Sequence, residues 1–471
     1  MEAIRNRFLA KRLLIVCGVL TLVFLSGPAV ADGENSAPQL PPEAHIIQGA
    51  ESSAPVAPQS FDGDLRDLPR APEPAPGAPV IEIPRRVYPR EKPAGPGQKQ
   101  AAEPESMLDP LLWGTAGVEE ADADRALDAE DSLRVFQTPD LNVAGQDFTG
   151  VVPPDTVGDV GRNHYIQMTN HPSGSIFTIR NKQTGAVMAG PALLKDLATG
   201  GACTIGHGDP IVLFDNIANR WLLSEFASTG NHLCVYVSKT SDPIAGGWWS
   251  YDFAVPFFPD YQKYAVWPDA YFVSSNEPTP AAYALDRNRM LSGLAATFQR
   301  FTATDLAGFG FQALLPADLD GNTQPPAGSP GYFIRHRDDE VHNAPGTPQD
   351  FLEIWKFKVN FANPALSTFT GPFNIAVSEF DSSLCGLSSF NCFPQPGTSV
   401  TLDPLREVVM WRAQYRNFGD HEALVGNFVT DVNGANRGGI RWFELRKDVS
   451  AATNWGLFQE GTFAQGSVDN R

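Results

Sequence analysis

Long apolar runs are absent from this 471-residue chain beyond its first 31 residues, so nothing later approaches the ~20 residues that a membrane-spanning helix needs. Basic residues are outnumbered, 35 Lys and Arg against 54 Asp and Glu, for a net charge of −19. That balance argues against nucleic acid or an anionic membrane surface as partner. Cysteine is scarce. Of five cysteines, one lies in the leading segment, and the remaining four, Cys203, Cys234, Cys385 and Cys392, favour disulfides over metal thiolates in an exported chain. There is no Walker loop, dinucleotide fingerprint, HExxH or GxSxG, so the commonest nucleotide, zinc-protease and serine-hydrolase signatures are missing.

What is present begins with Arg5, Arg7, Lys11 and Arg12, an uncharged run from Leu13 to Leu25, and Ala29-Val30-Ala31. This is the pattern of a secretory signal peptide over residues 1–31, placing the mature chain outside the cell, in a periplasm or at the cell surface. Residues 32–147 read as a disordered Pro/Ala/Glu-rich spacer. Sixteen of the forty prolines fall between Asp32 and Pro110, and aromatic residues are few there. Such a composition offers too little apolar area to offset the entropy of ordering. Residues 117 to 135 carry enough acidic and alanine residues for a helix without a continuous apolar face.

From 148 to 471 the pattern changes to short alternating runs rich in Trp, Tyr and Phe, broken by Asp, Asn, Gly and Pro, with no helical period: an all-β domain. The runs repeat. Asp159 and Tyr165, Asp215 and Trp221, Asp269 and Tyr271, and Asp320 and Tyr332 each place an aspartate in a turn before an aromatic strand, and the aspartates step by 56, 54 and 51 residues. A second echo follows each hairpin: "IFTIR" from Ile176, "VYVSK" from Val235, "AYALDR" from Ala282, "IWKFK" from Ile354 and "RWFELR" from Arg441. Four strands per unit at this spacing predict a β-propeller of about five blades, with an insertion near residues 378–400. Two β-sandwich domains, the alternative, would not predict either echo.

Cys203 and Cys234 flank expected neighbouring strands, and Cys385 and Cys392 close a short Gly/Ser loop, so these pairings are expected. A bridge across about thirty residues contributes on the order of 3 kcal/mol.

"GDPIVLFDNIANRW", "VWPDAYFVSSN", "RNFGDHEALV" and "GGIRWFELR" resemble motifs of uncharacterised secreted bacterial β-propeller proteins, distantly similar to the sialidase-type superfamily. The resemblance covers Val151 to the C-terminus and implies a fold without an established activity. Relatives are expected to continue into a further blade, six in all, which would make this propeller C-terminally incomplete. Sialidase chemistry implies three arginines on a carboxylate with a Tyr/Glu nucleophile. Arg335, Arg337, Arg412, Arg416 and Tyr415 are available, but in no spacing that maps onto such a site.

In the blade pattern, "RNFGDHE" (416–422) falls in an inner hairpin, where Asn417, Gly419 and Asp420 suit a turn. The opposite end gathers the ends of second strands and the loops leading into first strands. These supply the ligand-binding candidates Asn170, His171, His207, Asp209, Glu225, Asp260, Lys263, Asn276, Glu277, Arg335, Arg337 and Asp431. Carboxylates facing arginines there suit a sugar or acidic ligand, and a pair such as Glu225 and Glu277 could serve as acid and base. No cofactor is required; Asp318, Asp320 and Asn322 are spaced to hold Ca2+, although ordinary turn geometry explains the same residues. The expected function is binding of an extracellular glycan or protein ligand, with a sialidase-like glycoside hydrolase as the alternative.

Overall fold

Alternation with both faces apolar is what a strand needs when sheets stack on either side of it. In the second blade Trp221 and Leu223 pack towards the first blade, while Leu222 and Phe226 pack towards the third. The computed structural model describes residues 44–90, 108–112, 139–342, 349–386, 391–449 and 454–464. The signal-peptide pattern, the helix expected at 117–135 and the chain end lie outside them.

Numbered along the chain, the blades are β6–β9 (Val157–Val160, His164–His171, Gly174–Asn181, Val187–Leu193), β10–β13 (Gly206–Asp215, Arg220–Ala227, His232–Ser238, Trp248–Ala254) and β14–β17 (Asp260–Val266, Tyr271–Asn276, Ala281–Leu285, Phe298–Thr302). The fourth comprises β18–β21 (Leu315–Leu319, Gly331–Arg337, Phe351–Lys358, Thr368–Ala376) and the fifth β22–β25 (Ala413–Asn417, His421–Asp431, Gly438–Asp448, Gly456–Phe463). Each blade is an antiparallel meander, as the repeated echoes predict. Inner strands β18 and β22 also pair in parallel, Ala317 with Ala413 and Leu319 with Tyr415, joining the fourth and fifth blades into one sheet. "AYALDR" departs from expectation at its end: the strand stops at Leu285, Asp286 caps a short helix α1 (Arg287–Leu291), and Arg287 leaves the sheet to grip Asp215.

The first and fifth blades do not bury one another in the same way. Alternate residues of β6 (Gly158, Val160) and β22 (Gln414, Arg416) are exposed, and an Arg412–Asp159 ion pair of 3.5 Å crosses between the two blades.

Within the expected disordered spacer, some residues pair with the blades. β1 (His45–Gln48) pairs with β21, β2 (Glu51–Ser52) with β17 and β3 (Gln59–Phe61) with β13, all antiparallel. Leu65 is then buried in the core of the first two blades, and the Ala71 N–H donates to Pro191 O on β9. The segment thus runs round the outer edges of the blades in reverse chain order. An extended chain added to an existing edge needs backbone hydrogen bonds and a few anchors, not an apolar face of its own. Pro55 and Pro58 fall in the link between β2 and β3, on either side of Val56, which bridges Ala296. The chain then turns inward through β4 (Ile81–Glu82), which pairs in parallel with β5 (Val151–Val152).

Both expected disulfides are formed: Cys203–Cys234, with Cα atoms 5.6 Å apart, and Cys385–Cys392, 5.7 Å apart.

Candidate functional site

The first strands of blades one to three share a local irregularity that builds the site. In β10 and β14 the register slips between Gly208 and Ile211 and between Asp260 and Lys263, a bulge of one residue. In the first blade the Asn170 N–H reaches Pro154 O while Met168 pairs with Val157, the same offset. The bulged residues Asp155, Asp209 and Tyr261 all have positive φ, 42°, 53° and 55°. Bulges re-aim side chains, and these stand at the mouth of the axis.

Around that mouth Asn170 accepts the Asp209 N–H (2.6 Å) across the first blade seam, and Asn276 accepts the Gln312 N–H (3.1 Å) across the third. Gln262 donates to Asp209 O, and the Lys263 ammonium lies 3.8 Å over the Tyr261 ring. Burial raises the Asp209 carboxyl well above its ordinary value, reinforced by Asp155 and Asp260; burial also lowers Lys263, against the pull of the same three acids. Asp260 is raised by burial and partly restored by the donors it accepts. These are carboxyl groups crowded together in a poorly solvated place, where charge-bearing ligands are felt strongly.

A peptide already lies there. Residues 83–90, "IPRRVYPR", cross this end of the propeller in extended form. The Ile83 N–H donates to Val152 O (2.8 Å), the Arg86 N–H to Asp260 (3.1 Å), Asn276 to Arg86 O (2.8 Å) and the Tyr88 N–H to Gly310 O (2.7 Å). Arg86 stacks on Phe258 at 3.6 Å; Arg85 covers Phe311 at 4.4 Å and pairs with Asp403 (2.5 Å) and Glu407 (3.1 Å); Arg90 pairs with Asp305 (2.6 Å). Gly310 has no side chain because a Cβ there would run into Val87. Beside the peptide remains a cavity of about 340 Å³, lined by Ile83–Arg86 with His207, Asp209, Phe258 and Asp260. His207 is exposed on it, its pKa lowered by partial burial and by Arg86.

Of the sequence-derived candidates, Asn170, His207, Asp209, Asp260, Lys263 and Asn276 converge on this mouth. The rest do not. His171 holds Pro72 O (3.0 Å), part of the wrapped segment. Glu225 is sealed against Gly206, where a Cβ would contact its carboxylate at 2.5 Å, and it accepts the Ser175 N–H (2.8 Å); burial pushes it up to about 8. Glu277 turns back into its own blade to Arg300 (2.6 Å), Tyr283 (2.6 Å) and Ser275 (2.7 Å). Arg335 and Arg337 share Glu353 (2.7 and 3.4 Å), and Asp431 accepts three N–H groups of its own turn. Glu225 and Glu277 therefore form no acid–base pair.

At the calcium candidates Asp318, Asp320 and Asn322 the structure places a guanidinium. Arg412 brings its guanidinium to Asp318 (2.9 Å), Asp159 (3.5 Å) and Asp320 (3.7 Å), supplying the positive charge in that place. Burial still pushes Asp318 up to about 7, opposed by Arg412. Asn322 lies in a hairpin that lines a wider cavity of about 620 Å³ at the opposite end, with Arg162, Lys182 and Asn216. The sialidase constellation is not assembled, since Arg412 serves the aspartates, Arg416 lies over Phe418 and Tyr415 donates to Glu422 (2.7 Å) in the core. "RNFGDHE" is a turn: Asn417 accepts the Gly419 N–H (2.8 Å), Gly419 has φ of 99°, and Asp420 accepts from His421 (2.8 Å).

Sequence reasoning missed Asp155, Phe258, Arg85 and Arg86. A signal for Asp155 exists: "PPDTV", "GDPIV" and "PDYQK" each set an aspartate beside proline at the start of a first strand. Nothing comparable marks the arginines.

The chain matches no protein-family model, and no curated protein matches it. Among solved structures it is similar to an endo-1,4-beta-xylanase from Bacteroides thetaiotaomicron (11% identity, 66% of this chain and 97% of that one, TM-score 0.29). It is also similar to an engineered GH43 glycoside hydrolase (10%, 65% and 52%, TM-score 0.25) and to the WD40 domain of SCAP from fission yeast (9%, 64% and 74%, TM-score 0.21). Likeness this distant carries no argument about activity; the propeller is read from the strand pairing itself.

Proposed function

We propose that the chain is a secreted or cell-surface propeller that binds a protein ligand as an extended, arginine-bearing segment across the axial mouth. The observation that carries this reading is the peptide 83–90, held by main-chain hydrogen bonds, by Asp260 and Asn276, and by the Phe258 ring, which is how a strand-like ligand is gripped. Arg86 covers the aromatic face that a sugar would use, which favours polypeptide over glycan. Two disulfides and the N-terminal export pattern support the location.

The test uses the mature chain carrying R85A/R86A, to loosen the resident segment, and a fluorescent peptide of residues 81–90. Saturable binding that N276A abolishes is expected. Binding of glycans but not of this peptide would overturn the reading in favour of carbohydrate. A second reading, glycoside hydrolysis, draws on the Asp209 carboxyl, which burial raises well above its ordinary value beside Asp155 and Asp260, the kind of carboxyl contrast that acid–base chemistry uses. It requires the same variant to release reducing sugar from a polysaccharide.

A further inference from the structure

Away from the axis, Asp339 and Glu340 follow β19, Asp350 precedes β20 and Glu379 follows β21, and one carboxylate oxygen from each lies within 4.8 Å of the others. The loops carrying them are well supplied with donors. Asp338 takes the N–H groups of Val341 (2.9 Å) and Ser382 (2.7 Å), and Asp350 takes those of Asp339 (3.0 Å) and Phe380 (2.6 Å). Asp339 is different. Its side chain is nine-tenths buried, at 9% exposure, and among the described residues no donor reaches its Oδ1. A carboxylate oxygen withdrawn from water without a donor is strongly disfavoured, unless a cation takes the donor's place.

From this geometry we infer a divalent cation site for Ca2+, formed by Asp339, Glu340, Asp350 and Glu379. The chemistry is that of a hard cation, with oxygen ligands only and from separate loops. Oxygens about 2.3–2.6 Å from calcium can stand up to roughly 5 Å apart, which accommodates the observed spacing. The ion would join the loop after β19 to the start of the insertion that separates the fourth and fifth blades. The site shares none of its four carboxylates with the axial mouth or the Arg412 cluster.

Calorimetric titration of the chelator-treated, full mature chain with CaCl2 tests it, with thermal unfolding followed in parallel. Saturable binding is expected, with a dissociation constant on the order of 10⁻⁴–10⁻³ M or tighter, as in extracellular calcium modules. D339N and E340Q should each weaken it at least about tenfold, the loss of one charged ligand. Glu340 is exposed, so E340Q keeps the test valid even if D339N fails to fold. Absence of binding by a chain whose circular dichroism shows intact β-structure would overturn the inference. So would calcium binding that neither substitution weakens.

Discussion

Asn276 and Glu277 are consecutive, yet one belongs to the axial mouth and the other to the interior of its blade. Asn276 reaches Arg86 and Gln312, whereas Glu277 lies with Arg300, Tyr283 and Ser275. The same division separates Asp209 from Glu225 in the second blade. In a pleated sheet a shift of one residue turns a side chain to the other face, so adjacent polar residues serve different neighbours. At the mouth, acids of different blades stand near one another around Lys263 and the resident peptide; inside the blades, acids are matched or sealed within their own sheet. A polar strand end is therefore not evidence of a site until its parity is known.

Substitutions break this comparison most forcefully inside a blade. R300A strands Glu277 without its cation, and unfolding titrations should show a loss of about 3–5 kcal/mol. Binding at the axial mouth should survive in the fraction that folds; parallel loss of binding and stability at low denaturant would erase the distinction.

Glu225 probes the sealed acids through pH. Its folded carboxyl titrates at about 8 against an ordinary 4.5, so between those values the native state holds a proton that the unfolded state has released. Stability contributed by the protonated form is thus full below pH 4.5, falls as pH rises through the window and levels off above 8. E225Q keeps an acceptor for Ser175 and removes the titration. It should gain on the order of 2–4 kcal/mol relative to the parent at pH 8 and little at pH 4.5, measured by denaturant unfolding. An unchanged pH profile would show that water reaches this carboxylate.

At the mouth the expected effects are smaller. R86A removes the stacking on Phe258 and loosens the peptide, at a cost of about 1–2 kcal/mol. Its clearer signature is faster amide exchange across residues 83–90, with the blade strands unchanged. Smallest of all, H421A in the exposed inner turn should alter stability by no more than about 0.5 kcal/mol and leave ligand binding alone, as a turn residue outside any site would.

Much of the blade architecture was legible because each repeat announces itself locally. An aspartate turn, an aromatic-led strand and a third strand ending in a basic residue all lie within a few tens of residues, and their alternation follows from burial on both faces. "IWKFK" and "RWFELR" fall inside β20 and β24 for that reason. The wrapped segment was not legible. Its proline-rich composition reads as a disordered spacer, but its described strands pair with the edges of β21, β17 and β13, roughly two to three hundred residues away. The candidate site was half legible. Asp209 and Asp260 stand out at the entries to first strands and Asn276 at the end of a second strand, whereas Glu225, Glu277 and Arg335 share that second-strand-end position although the pleat directs them elsewhere.

The sequence by itself determined the repeat, the strand-forming character and the acidic charge, since these depend on local pattern and on composition, and it favoured one of three disulfide pairings. Only the tertiary structure decided which acids face the axis, that Arg412 stands among Asp159, Asp318 and Asp320, and that residues 83–90 occupy the mouth. Those outcomes depend on bulge registers and on contacts between segments far apart in the chain, and no local pattern encodes either.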